Sequence, residues 1–308
     1  MNLDKKIATR QSYGEALKEL GKENNKVVVL DADLSTATKT ELFAKEFPNR
    51  FFDLGIAEQD MVSTAAGFAT CGKIPYASTF AVFAAGRAYD QIRNSVCYPK
   101  LNVKICATHA GITVGEDGAS HQMIEDIAMM RTMPNLQVFS PSDDVQTKYL
   151  IKEISKLDGP CYVRLSRLGT PVIYDENESF EIGKAKQIGD GTDATIFATG
   201  ICVSEAIKAK ERLKEQGINV RVVDVFTIKP IDKELIIKCA KETKKIITVE
   251  DHSVIGGLGS AICEVLSEEY PTKVIRLGIK DSFGKSGKAE ELMKYFEIDT
   301  DSIIQSIK

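Results

Sequence analysis

Apolar positions along the chain fall into two series, each with strand-like runs set between helix-like stretches. In the first, Tyr13, Ala16, Leu17 and Leu20 recur at the spacing of one helix face over residues 12 to 22. A continuous apolar run over 26 to 31, ending in Asp31, predicts a strand covered on both sides. Apolar residues up to Ile56 predict a further strand, and the small apolar stretch 61 to 69 predicts a buried helix behind it. Strands at 74 to 80, 103 to 108, 136 to 140 and 161 to 165 alternate with an alanine-rich helix that begins near Phe83 and with helices at 124 to 132 and 143 to 156. Such alternation implies a parallel sheet with helices on its faces.

The pattern breaks between 169 and 193, where Gly, Pro, Asp, Glu and Asn dominate around a short segment at 182 to 185. A second series follows, with strands at 194 to 199, 219 to 225, 245 to 250 and 273 to 277 and helices at 203 to 216, 232 to 242, 258 to 269, 288 to 296 and 300 to 307. The expected architecture is α/β throughout, with two doubly wound domains at 1–170 and 193–308 and a linker at 171–192.

Composition removes some function classes. With 308 residues, 43% hydrophobic and 27% charged, the chain can build real cores. Its net charge of −4, without long runs of one sign, gives no basis for a nucleic-acid or membrane surface. No segment reaches the roughly 18 apolar residues of a membrane span, and the first residues lack a signal-peptide core. Seven scattered cysteines without CxxC pairs point to reduced thiols in a cytoplasm and away from structural zinc.

Candidate chemistry gathers where strands end. Glu58 stands at a strand-to-helix crossover, where a helix N-terminus favours its charged form and the apolar run behind it implies burial, which opposes that form. Spacing alone favours the plainer reading, a helix N-terminal acid. Asp33 and Ser35 follow a strand end, the usual ligand position in open α/β sheets, yet both also suit helix caps. The loop from 109 to 121 has glycines at 111, 115 and 118, the acids Glu116 and Asp117, and two of the three histidines, His109 and His121, at its ends. Glycines allow backbone to approach a ligand and imidazoles exchange protons near neutral pH. Metal binding and a purely structural loop are the competing readings, although the spacing fits no standard zinc or iron pattern.

Several motifs carry a family resemblance. They are ATR at 8 to 10, DADLS at 31 to 35, GIAEQDM at 55 to 61, STF at 78 to 80 with Phe83, ATHAGITVGEDGASHQ at 107 to 122, PNLQVFSPSD at 134 to 143 and LSR at 165 to 167. Together, and in order, they resemble the carboxyl-terminal half of transketolase over essentially the whole chain. The resemblance implies thiamine diphosphate as cofactor, with Glu58 matching the glutamic acid that hydrogen-bonds N1′ of the aminopyrimidine. A carboxyl group withdrawn from water can share a proton with such a weakly basic ring nitrogen. Phe80 and Phe83 match the aromatic walls around the pyrimidine, while a third family aromatic falls at Gly86. Asp33 and Leu34 match positions near the thiazolium. His109 and His121 resemble the pair that contacts the donor sugar and passes protons, and Asp117 the residue that reads a hydroxyl. Arg10 and Arg167 match the phosphate-clamping arginines, with Ser35 as a possible assistant; Arg164 reads as structural.

A complete transketolase is about twice this length and begins with a domain that binds the diphosphate through a divalent metal, using a GDG motif and a later Asn. Gly189 to Gly191 and Asn219 imitate that pattern but fall at a turn and a strand start, and the glycine-rich 256 to 259 belongs to the second domain. His252 is assigned to structure or subunit contact. No metal site is therefore expected in this chain. The resemblance implies a split enzyme: a separate amino-terminal subunit holds Mg2+ or Ca2+ and the diphosphate, and the pairs associate into a dimer of heterodimers acting on sugar phosphates. Related alternatives are a 1-deoxyxylulose 5-phosphate synthase, which residues 87 to 91 resemble, and the beta subunit of a 2-oxo acid dehydrogenase. A non-catalytic assembly subunit is the alternative of a different class.

Overall fold

The computed structural model describes residues 2–308. Its first sheet has seven strands in the order Thr227–Lys229, Gln137–Phe139, Cys161–Arg164, Lys104–Thr108, Ile74–Phe80, Val27–Asp31 and Phe51–Asp53. All pair in parallel except Thr227–Lys229, which joins the edge antiparallel to Gln137–Phe139. The second sheet runs Val274–Ile279, Ile246–Ser253, Ala194–Ala198, Val220–Asp224 and Lys186–Ile188, the last again antiparallel. Asn2–Ala8 and Gly169–Val172 form a separate antiparallel ribbon where the first domain begins and ends.

Side-chain alternation explains the layers. On Val27–Asp31, Val27 and Val29 pack with Tyr13, Leu17 and Leu20 of the helix Thr9–Glu23, while Val28 and Leu30 face Met61, Val62 and Ala65 of the helix Glu58–Thr70. The sheet is thus covered on both sides, as its unbroken apolar strands require. The second core gathers Ile196, Ala198, Val222, Ile247 and Val249 with Ile207 and Leu213 of the helix Cys202–Lys214.

Three local features depart from the sequence pattern. The strand near Phe51 stops at Asp53, and Ile56 is 76% exposed instead of paired. Asp53 Oδ1 accepts from the amides of Gly55 and Asp33 at 2.9 and 3.0 Å, and Gly55 takes φ 70°, so the chain turns before the helix. Within 171–192, Lys186–Ile188 is an edge strand. The alanine-rich stretch is no single α-helix: Val82–Arg87 and Ile92–Cys97 are wound as π-type turns around the short helix Tyr89–Gln91. Widened turns of this kind recur at functional sites.

Candidate active site

Five parallel strands finish along one edge of the first sheet, with Asp31 opposite Asp53 and Ser78, Phe80 opposite Thr108, and Ala107 opposite Arg164. Carboxyl ends of parallel strands form the crevice where α/β folds bind ligands, and nearly every expected site residue follows one of them.

Glu58 opens its helix and is 1% exposed. Both of its carboxylate oxygens accept from Nη1 of Arg87, at 2.7 and 2.9 Å. The Arg87 guanidinium carbon lies 4.6 Å from the centroid of the Phe83 ring. Phe83 and Phe80 are near-parallel, with centroids 5.9 Å apart and planes at 10°. The His109 ring stacks on Phe80 at 3.8 Å, and His121 meets Phe83 edge-on at 5.8 Å and Phe80 at 6.5 Å. Glu58, both phenylalanines and both imidazoles therefore form one continuous strip of flat and ionisable groups. Gly86 is exposed and a Cβ there would meet open space, so no side chain stands in for a third aromatic at that position.

His109 adopts φ 58°, a left-handed conformation uncommon for a side-chain-bearing residue. Arg10 Nη1 donates to its Nε2 at 3.2 Å, which leaves Nδ1 to carry the proton toward Thr108 Oγ1 at 2.9 Å. Burial, then the charges of Arg10 and Arg167, push the imidazole down to about 3. His109 is thus neutral across the physiological range. His121 is half-buried, and its Nδ1 lies 3.0 Å from Ser120 Oγ. Asp117 is exposed on the same loop.

Asp31, which the sequence offered only as a strand end, organises the loop that follows. Its carboxylate accepts from Leu34 N at 2.7 Å, Thr38 Oγ1 at 2.7 Å and Thr40 Oγ1 at 2.8 Å. Burial raises it to about 6 against those bonds. This holds Asp33 exposed at φ 60° and starts the short turn of helix Ser35–Thr38 just after Leu34. Arg10 Nη1 donates to Ala37 O at 2.9 Å and so ties that turn to His109.

Arg10 and Arg167 share a cleft of about 610 Å³ whose rim also carries Thr113, Glu116 and Lys288. Burial and the nearby Arg167 charge lower the Arg10 pKa, the mark of positive charge held together without full compensation. Arg167 Nη1 donates to Val114 O at 2.6 Å. A cleft of similar size, 660 Å³, lies between the helices Thr9–Glu23 and Asp144–Ile154. Lysines and acids line it without an imidazole or a strand end, so it lacks the ingredients of the first.

The second domain reaches into the site, which sequence reasoning missed. Asp251 accepts from Ile112 N at 2.8 Å and Thr113 Oγ1 at 2.7 Å, bonds across more than a hundred residues that no local signal announces. A Cβ at Gly111 would collide with that carboxylate, so glycine is needed there. Ser286 Oγ donates to Glu116 O at 2.6 Å, and Gln122 Nε2 to Lys285 O at 2.8 Å. Arg164 is buried, pairs with Asp126 at 3.0 Å and donates to Asp251 O at 2.7 Å, all away from the crevice. His252 is fully buried and so unavailable for a subunit contact. The glycine-rich turn at 256 to 259 holds an internal anion: Glu250 accepts from Leu258 N and Gly259 N at 2.6 and 2.8 Å. Among the described residues no group of three or more His, Cys, Asp and Glu side chains is gathered as a metal site requires, and no helix is long and apolar enough to cross a membrane.

Fold and crevice together define an α/β chain of two doubly wound domains whose strand ends suit a flat heteroaromatic ligand. Residues 5–172 match the family model for the transketolase pyrimidine binding domain and 183–303 that for the transketolase C-terminal domain. The chain belongs to the transketolase family. It is 58% identical over 301 residues to a Methanocaldococcus jannaschii chain that carries the provisional name transketolase C-terminal section, covering 97% of this chain and 94% of that one. It is 44% identical to transketolase from Rattus norvegicus over 98% of this chain but 49% of the rat protein, so it spans about half of such a relative. A split-gene transketolase, solved as an inactive beta4 tetramer, superposes with a TM-score of 0.92 at 53% identity, covering 98% of this chain and 97% of that one. Thiamine diphosphate is the family's cofactor, and the buried Glu58 beside two parallel phenyl rings fits its pyrimidine end.

Proposed function

We propose that this chain is the carboxyl-terminal subunit of a two-chain transketolase that moves a two-carbon ketol unit from a ketose phosphate to an aldose phosphate. One observation carries the reading: a buried acid, an aromatic wall and two imidazoles meet at the strand ends of a chain half the length of its single-chain relatives. An amino-terminal subunit then supplies the domain for the diphosphate and its Mg2+ or Ca2+. Ile56, exposed two residues before Glu58, offers apolar surface to such a partner. The beta4 tetramer of the split-gene relative supports self-association of this chain, hence a dimer of heterodimers.

When bound, thiamine diphosphate supplies the nucleophilic carbon and the electron sink. The chain's own residues bind and orient around it. Glu58 holds a proton at N1′ of the pyrimidine, and Phe80 and Phe83 stack on the ring and exclude water. Asp33 and Leu34 border the thiazolium side. His109, neutral and held through both ring nitrogens by Arg10 and Thr108, meets the sugar by exchanging the Arg10 bond at Nε2 for a sugar hydroxyl, and has no spare proton to give. Proton movement at the donor hydroxyl falls to His121, and Asp117 reads a further hydroxyl. Arg10 and Arg167, with Ser35 nearby, suit a sugar phosphate, because guanidinium forks match phosphate oxygens.

With cofactor, magnesium, xylulose 5-phosphate and ribose 5-phosphate, the purified chain is expected to be inactive until the amino-terminal subunit is added. Full activity of the chain alone contradicts the proposal. Turnover of pyruvate in place of xylulose 5-phosphate supports a synthase or dehydrogenase subunit instead, and no turnover of either with the partner present supports an assembly role.

A further inference from the structure

The crevice beside Glu58 already contains a flat, stacked N–H donor that belongs to the chain. Arg87 gives one nitrogen to both oxygens of the Glu58 carboxylate and lays its guanidinium carbon 4.6 Å from the centre of the Phe83 ring. We propose that Arg87 is a displaceable stopper, whose guanidinium stands where an aminopyrimidine would meet Glu58 and must swing out before the coenzyme can load. The inference rests on the assignment of Glu58 to the pyrimidine.

Three observations carry it. First, Glu58 is 1% exposed, so while the pair stands no incoming N–H can reach the carboxylate. Second, the chemistry matches. An aminopyrimidine contains an amidine, N–C–N with an attached N–H donor in one plane, and a guanidinium presents the same planar unit to the same carboxylate and the same kind of aromatic face. Third, the side chain has somewhere to go. Arg87 is 47% exposed, and its neighbour Gly86 faces open space. Arg87 also closes the π-type turn Val82–Arg87, whose wider winding has Ala88 N bonded to Phe83 O at 3.2 Å. Phe83 and Arg87 are therefore set by one local irregularity.

The stopper has a consequence for assembly. Thiamine diphosphate binds at both ends, and displacement of Arg87 opposes only the pyrimidine end. Binding free energy from the diphosphate, held by the amino-terminal subunit, offsets that opposition. Loading is thereby linked to the presence of both chains, and thiamine without its diphosphate is a poor ligand for either.

Calorimetric titration of the two-chain complex with thiamine diphosphate and magnesium tests this without reference to turnover. Arg87→Ala is expected to bind the coenzyme roughly fivefold more tightly than wild type, the scale of a half-exposed ion pair. Arg87→Lys, which keeps the charge but loses the planar fork, is expected to fall between them. Methylguanidine added to the Arg87→Ala complex is expected to refill the hole and weaken coenzyme binding, with little effect on wild type. Unchanged or weaker binding by Arg87→Ala, with Glu58→Gln still impaired, overturns the stopper alone. Coenzyme binding that is undiminished in Glu58→Gln removes the pyrimidine assignment and the stopper with it. Thermal melts of each variant check that folding is intact, as expected for a side chain half in water.

Discussion

Two glutamates in this molecule sit buried at a helix N-terminus beside the strand ends of a parallel sheet, and they have opposite fates. Glu250, in the second domain, accepts from two backbone amides of the helix Leu258–Glu269, and burial raises it to about 7 despite those bonds. Its neighbours Asp251 and His252 are likewise bonded inward. Glu58, in the first domain, has a partly solvent-exposed arginine as its side-chain partner. Glu250, carried on a strand, is answered by backbone amides of the neighbouring helix, whereas Glu58, carried on the helix itself, is answered by a side chain that can leave. The first domain thus leaves its carboxylate to a partner that faces solvent, and the second, through Asp251, stiffens the loop that carries the histidines.

The largest effect that could break this comparison lies at the open end. Glu58→Gln is expected to lower kcat of the reconstituted enzyme by roughly a hundredfold or more, the scale of a lost proton-transfer group, with the melting temperature little changed. Survival of activity would mean that the pocket has been misread. Asp251→Ala should come next. It frees Ile112 N and Thr113 Oγ1 and lets the 109 to 121 loop shift, so kcat/KM should fall by roughly tenfold to a hundredfold. Asp251→Asn, which keeps one acceptor, should lose less; equal activity of all three proteins would detach the second domain from the site.

The smallest effect belongs to His252. Burial, opposed mainly by the Asp126 charge, pushes its imidazole down to about 4. Asp126, Glu250 and Arg164 all face it. Because the folded group holds its proton less tightly than the unfolded one, its contribution to stability is present above the unfolded value near 6.5 and is lost as pH falls toward 4. His252→Leu loses the acceptor for Ala128 N, about 1 kcal/mol at neutral pH. It should then close that gap with wild type between pH 6.5 and 4, with unaltered kcat. A gap that widens on acidification would show that the imidazole is charged in the folded state.

Much of the architecture was legible because both sheets are mainly parallel and covered, so their central strands are largely apolar runs such as Val27–Asp31 and Ala194–Ala198. Ile56 misled, since an apolar residue at the end of such a run is no different in sequence from one in an exposed turn. Thr227–Lys229 crossing back to the first sheet carries no local signal either, being a three-residue edge strand. At the site, Glu58, Phe80, Phe83, His109 and His121 were legible as residue types at strand ends and in a glycine-rich loop. The roles of Arg87 and Asp251 were not. Arg87 reads as an ordinary helix-surface cation until the π-type turn carries it over Phe83, and Asp251 acts on a loop 139 residues away in sequence.

Equilibrium binding of thiamine diphosphate and magnesium to this chain, alone and then with its amino-terminal partner, probes the half-pocket most directly. Saturable binding is expected only when both chains are present. Tight stoichiometric binding by this chain on its own, with the diphosphate and metal held within one copy, would contradict it.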